Sequence, residues 1–428
     1  MRYRTRAIAL LIPILSPPLL WAQNVPLSWD FDEVWRAGGL HASDWAQFTW
    51  RGQVAFDGSC NLYVVDLEAH HIVKVGPDGS LVTTVGREGE GPGEFGWIID
   101  LIVWPDGSFV VSDLGRNGLQ LFSANGRFDR MVRWRPATGQ MDLSANMSRV
   151  MRPGPSPGVL YAQGADASLG RMFGAMAELM GTEPEEESAD ERMIEALDLA
   201  DDVVAGETVL EAWRPPRPDS ANPEIELGDL ASMMSIIAEA PVFEPELLWD
   251  ALPGGAIAYA DSSTYTIRIA RDGAVLKTLT RPIAPRPLTP AIESRAREEM
   301  QRMANPDSSA EVLEVPGFDF AAAQREARAA LIGAYGDMTF YPEVPVIAEI
   351  RATPDGFVWV RRQDPVNEDN DGLIDVFDPE GNYVGTFPKE GLRMPSAFGP
   401  GGLVAYWETD DMDIPSIVVY RLPENLRR

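Results

Sequence analysis

An all-β fold, a single ring of six blades, is what this sequence predicts. Three observations predict it: a strand–turn–strand unit recurring after 47 residues, an Asp-Gly or Asn-Gly turn inside each unit, and a 428-residue chain long enough for six units. The clearest pair is LYVVDLEAHHIVKVGPDG (62–79) and FVVSDLGRNGLQLFSANG (109–126), which align without a gap. A third copy, AIAYADSSTYTIRIARDG (256–273), keeps the spacing from aspartate to the next strand. β-Branched runs make strands, and Asx-Gly supplies the positive φ of a tight hairpin. One such meander cannot bury both of its faces, but copies set around an axis bury each other, so the repeat length favours a propeller.

The remaining blades follow in order. GVLYAQ (158–163) with ETVLEAW (207–213) is a degenerate third blade; GFVWVR (356–361) with LIDVFDPEGNYV (373–384) is a fifth; GLVAYW (402–407) with SIVVYRL (416–422) is a sixth. Near the other end, WDFDEVW (29–35) is a candidate strand for closing the ring. The stretches GSCNLYVVD (58–66), VGREGEGPGEF (85–95) and WPDGSFVVSD (104–113) resemble six-bladed propellers of the NHL-repeat type from exported bacterial proteins. That resemblance implies the fold and no single activity, because this architecture hosts both binding proteins and enzymes.

Two stretches exceed the repeat. Residues 165–205 carry Leu169, Phe173, Met176 and Met180 at helical spacing, then an acidic run from Glu183, then Met193, Ile194, Leu197 and Val204; residues 289–335 open on Thr289-Pro290 as cap and first turn and later run DFAAAQREARAALIG (319–333). Both are expected to be helical insertions, the first also a candidate partner-docking surface.

The opening segment, basic at Arg2, Arg4 and Arg6 and then apolar to Ala22 with Pro13, Pro17 and Pro18, is expected to be a secretory signal over 1–22. Residues 23–428 then form one exported domain, periplasmic or extracellular, with no membrane span. The chain has 36 basic and 65 acidic residues, a net charge of −29. Such a balance excludes nucleic acid, whose binding needs Lys and Arg against phosphates, and favours cationic partners. With Cys60 alone, no internal disulfide can form.

Each candidate chemical motif meets a physical objection. VGREGEGPGEF resembles a phosphate cradle, but its glycines alternate with Glu88, Glu90 and Glu94 and a strand follows, so it reads as a connection between blades. GPSPG (154–158) matches a serine-hydrolase elbow around Ser156, yet prolines oppose the strand-to-helix turn and His41, His70 and His71 all precede the serine. Adjacent His70 and His71 point to opposite sides of a strand or turn, which disfavours one shared metal. The most ligand-like motif is NEDNDGLIDVFD (367–378), whose Asn367, Asp369, Asp371, Asp375 and Asp378 fall at calcium-loop positions; a solvated acidic turn is the competing reading, and calcium is the one cofactor suggested.

Two function classes stand at this level. The first is an exported, non-enzymatic propeller holding a protein, peptide or glycan ligand on its loop face. The second is a calcium-dependent lactonase or esterase, for which Asp66, Asp113 and Asp261, equivalent in three blades, are the repeated carboxylates. An aspartate at a strand end more simply bonds the amides of its own turn.

Overall fold

The structure, a computed structural model, describes residues 24–113, 116, 118–134, 150–164, 192–215, 241–304, 333, 338–364, 372–388 and 392–428. Its strands form six four-stranded antiparallel meanders and one small two-stranded sheet. From inner to outer strand, blade one is Val54–Phe56, Leu62–Asp66, His71–Val75 and Leu81–Val85. Blade two is Ile98–Val103, Phe109–Asp113, Gly118–Phe122 and Phe128–Arg133. Blade three is Met151–Pro153, Val159–Gln163, Met193–Asp198 and Ala205–Glu211. Blade four is Leu248–Leu252, Ala256–Ala260, Thr266–Arg271 and Ala274–Thr280. Blade five is Ile347–Ala352, Val358–Arg362, Ile374–Phe377 and Tyr383–Phe387.

Blade six takes Ala397–Gly399, Leu403–Thr409 and Pro415–Arg421, and borrows its outer strand, Asp32–Gly38, from the other end of the sequence. The borrowed strand pairs antiparallel from Asp32 opposite Arg421 to Gly38 opposite Ser416. This is the ring closure expected of WDFDEVW, shifted a few residues onward. It leaves no blade unpaired at the seam where the chain begins and ends its circuit.

The core is a cycle of seams. Each apolar cluster joins two consecutive blades, so a strand buries one face against the blade before it and the other against the blade after. Within blade one, Val64 and Val73 pack toward blade six, whereas Tyr63, Val65 and Ile72 pack toward blade two. Side-chain hydrogen bonds cross the same seams: Tyr63 Oη donates to Gly107 O at 2.9 Å, Trp104 Nε1 to Val159 O at 3.0 Å, Tyr161 Oη to Gly255 O at 3.0 Å, and Trp407 Nε1 to Gly52 O at 2.8 Å. Each gives a large ring a partner for its polar tip while its body stays in the seam.

Of the two expected helical insertions, the second shows a helix at its start and the end of the first is corrected to a strand. Among the described residues there is one α-helix, Pro290–Ala304. It begins as the sequence suggests, with Thr289 Oγ1 accepting the Ile292 amide at 3.3 Å and Pro290 in the first turn. Arg297 fixes it with an i,i+4 ion pair to Glu293 and a position over the Phe340 ring. Met193, Ile194 and Leu197, expected on a helix, instead lie in the third strand of blade three. Ile194 packs toward blade four and Leu197 toward blade two. A strand buried on both faces therefore reproduces a spacing that on a helix would mark one stripe. Residues 165–191 and most of 305–335 lie outside the described residues.

Antiparallel meanders sort the loops by face. Inner-to-second and third-to-outer turns share one face, here the turn face; second-to-third turns and blade-to-blade connections share the other, the loop face. The helix Pro290–Ala304 lies in a blade-to-blade connection and so on the loop face.

Candidate functional site in the central channel

The inner strands line a cavity of about 1020 Å³. Its walls include Leu101, Ile102 and Val103 of blade two, Met151 of blade three and Ala251 of blade four, and its rim is the set of inner-to-second turns, among them Pro105, Pro157 and Pro354. Its lining runs the length of the channel, from these turns on the turn face to Arg51 and Trp407 at the other end.

The channel is apolar in bulk and polar at chosen points. Around it stand Gln53 from the lead-in to blade one, Asp100 from blade two, Arg152 from blade three, Asp250 from blade four, Arg351 from blade five and Ser396 at the entry to blade six. Across blades two to five the charges alternate in sign. Asp250, nearly buried, is the hub: Oδ1 accepts Arg152 Nε at 2.7 Å and the Ala251 amide at 3.0 Å, and Oδ2 accepts the Ala352 amide at 2.7 Å. Arg351 Nε stands 3.6 Å from the same Oδ2, too long for a good hydrogen bond, and has no hydrogen-bond partner of its own. Burial pushes the Arg351 guanidinium below its usual range, with Asp250 opposing the shift and Arg152 adding to it.

Asp100 is the titratable acid of this ring. Burial pushes its carboxyl up to about 6, against the opposing pull of Arg152, the Leu101 amide and Gln53. Gln53 itself ties blade one to blade two by accepting the Leu101 amide at 2.7 Å and donating to Ile99 O at 3.1 Å.

The residues singled out in the sequence lie elsewhere. Asp375 is fully buried in the seam between blades four and five, where Arg281, Arg362, Thr386 and Tyr265 Oη all bond its two oxygens. Asp378 accepts the Asn382 amide and side chain at 2.8 and 2.9 Å, an Asx turn closing the third-to-outer hairpin. Asn367, Asp369 and Asp371 lie outside the described residues. Among the described residues, no group of three or more His, Cys, Asp or Glu side chains is placed to hold a metal ion.

Asp66, Asp113 and Asp261 sit at the ends of second strands and do not line the channel. Asp66 bonds an amide of its own turn, Ala69 at 3.1 Å. Asp113 and Asp261 instead grip the incoming connection from the previous blade: Asp113 accepts the Gly96 and Trp97 amides, and Asp261 the Trp213 amide. Their recurrence is a stitch between blades. His71 packs beside Asp66, 3.8 Å from its carboxylate, and burial lowers its pKa. Ser156 lies on the channel rim in a turn closed by Val159 N–H to Ser156 O at 3.1 Å.

VGREGEGPGEF forms the connection from blade one to blade two. Glu94 bonds Arg87 and the Gly91 amide, and Arg116 reaches into the loop to bond the carbonyls of Gly89 and Glu90. Carbonyls aimed at a cation are the reverse of a phosphate cradle. Phe95 is fully buried in the seam between blades one and two, and a Cβ on Gly86, whose φ is +86°, would come within 2.1 Å of its ring.

The channel polar ring was missed in the sequence because it is no motif. Its members lie on or just before separate inner strands and differ in residue type, with only Gln53 and Asp100 one 47-residue repeat apart, and only closure of the ring brings them together.

No family model matches the chain, and no curated protein matches it. Among solved structures it is similar to a Bacteroides fragilis protein considered to be exported, at 10% identity and a TM-score of 0.46, covering 94% of this chain and 97% of that one. It is also similar to a member of the DUF4221 family from Bacteroides vulgatus, at 8% identity and 0.42, covering 92% and 95%. A gluconolactonase of Xanthomonas campestris aligns at 13% identity and 0.37, covering 94% and 98%. These likenesses carry no activity to this chain; the propeller fold rests on its own sheets.

Proposed function

We propose that this chain is an exported binding propeller that holds a peptide or glycan, or a protein segment bearing one, in its central channel without transforming it. The observation that carries this reading is the channel itself, in which apolar walls are interrupted by a few placed polar side chains contributed by all six blades. That is the composition of a recognition site, where a few convergent polar groups fix orientation and apolar surface supplies the contact. Support also comes from the rim, where proline-rich turns hold the mouth open at low conformational entropy. Among the described residues, no helix is long and apolar enough to cross a membrane.

The test is a thermal-shift screen of the purified protein against peptides and oligosaccharides, run beside a lactone and ester turnover assay with calcium and with chelator. A ligand that raises Tm, with no turnover, supports the binding reading. Calcium-dependent turnover overturns it in favour of a lactonase or esterase.

A further inference from the structure

Resting on that reading of the channel, we infer that its ligand presents a carboxylate, received between Arg152 and Arg351 beside Asp100. The guanidinium inventory points there. Arg152 spends Nε on Asp250 and Nη1 on Met151 O, which leaves Nη2 without a hydrogen bond at the cavity wall. Arg351 is bonded more weakly still: its contacts are 3.6 Å to Asp250, 3.9 Å to Glu349 and 3.5 Å to Ser396 O. Glu349 is itself engaged by Arg361 at 3.0 Å. Two guanidiniums thus share Asp250, whose oxygens already accept three hydrogen bonds, none of them from Arg351. A planar anion is the partner whose geometry matches two unfilled guanidinium edges.

Asp100 decides when that anion is welcome. The group facing it from blade three is Arg152, and from blade one the neutral amide of Gln53. Asp250 and Arg351 continue the ring from blades four and five, while Arg51 lines the same cavity at its loop-face end and Asp57, Asp106 and Asp355 at its turn-face end. An ionised Asp100 would stand beside the incoming carboxylate as a like charge; a protonated one donates an O–H to it. Its carboxyl, pushed up to about 6, is poised for that exchange, so binding takes up a proton.

The experiment is calorimetric titration of the mature protein with acetate, succinate and glucuronate, each to about 10 mM, beside the neutral probes acetamide and glucose. At least one carboxylate is expected to bind, with affinity falling about tenfold between pH 5 and pH 7. Asp100→Asn should abolish that pH dependence, and Arg351→Gln should lose at least about tenfold in affinity. Arg152→Lys, which keeps charge but not the fork, gives a second reading if Arg351→Gln does not fold. Binding by none of the carboxylates, or carboxylate affinity independent of pH, overturns the inference. If glucose binds and the carboxylates do not, this inference fails while the channel-binding reading stands; if a carboxylate binds equally to wild type and all channel variants, both fail.

Discussion

Asp100→Asn should make the protein more stable at neutral pH, and the structure sets the size of the gain. Burial raises the Asp100 carboxyl from 3.8 to about 6 in the folded protein. A native pKa above the unfolded one means that the folded state holds the proton more tightly. The stability this contributes is fully present below about pH 3.8 and is lost as pH rises through 6. At about 1.4 kcal/mol for each unit, neutral pH imposes a penalty of up to about 3 kcal/mol for holding the ionised carboxylate in the channel. Asparagine keeps the shape and the acceptor for the Leu101 amide, which lies 2.9 Å from Oδ1, and carries no charge to desolvate. Urea unfolding of wild type and variant at pH 7.5 and pH 4 reads the difference directly. The account expects a gain of up to about 3 kcal/mol at pH 7.5 that shrinks toward zero at pH 4. A variant that is destabilised at pH 7.5, or one whose gain is the same at both pH values, would refute the reasoning. A gain would mark Asp100 as kept for function at a cost in stability.

Other outcomes follow from the same geometry. Asp375→Ala strands Arg281 and Arg362 in the seam between blades four and five and should cost about 3–5 kcal/mol by denaturant unfolding, whether or not calcium is present. Gly86→Ala, at φ +86° and against the Phe95 ring, should cost more than about 2 kcal/mol and lower Tm, whereas Gly158→Ala meets no atom within 4 Å and pays only for its positive φ. Deleting residues 32–38 removes the outer strand of blade six and should abolish cooperative unfolding in calorimetry. Ser156→Ala should leave ligand binding within about twofold of wild type, since the rim serine carries no partner-specific bond.

Blades one and two could be read from the sequence because both keep short Asx-Gly turns, so their copies align residue for residue. Blade three was legible only as a degenerate copy, from its second and outer strands, since its second-to-third connection runs from Gln163 to Met193 and breaks the spacing. Its strand at Met193–Asp198 imitated a helix because Ile194 and Leu197 each serve a different neighbouring blade. Asp113 and Asp261 were visible as a repeated residue type, but their bonds to the preceding connection follow from the packing of one blade on the next. The channel ring lay beyond sequence reading altogether: Asp100, Arg152, Asp250 and Arg351 share no spacing, and they meet only across the axis.

Hydrogen–deuterium exchange with and without the tightest-binding ligand from the screen tests the central claim most directly. Binding in the channel predicts slowed exchange in the inner strands Ile98–Val103, Met151–Pro153, Leu248–Leu252 and Ile347–Ala352 and in the turns at their turn-face ends. Protection confined to the helix Pro290–Ala304 and the connections of the loop face, with the inner strands unchanged, would contradict it.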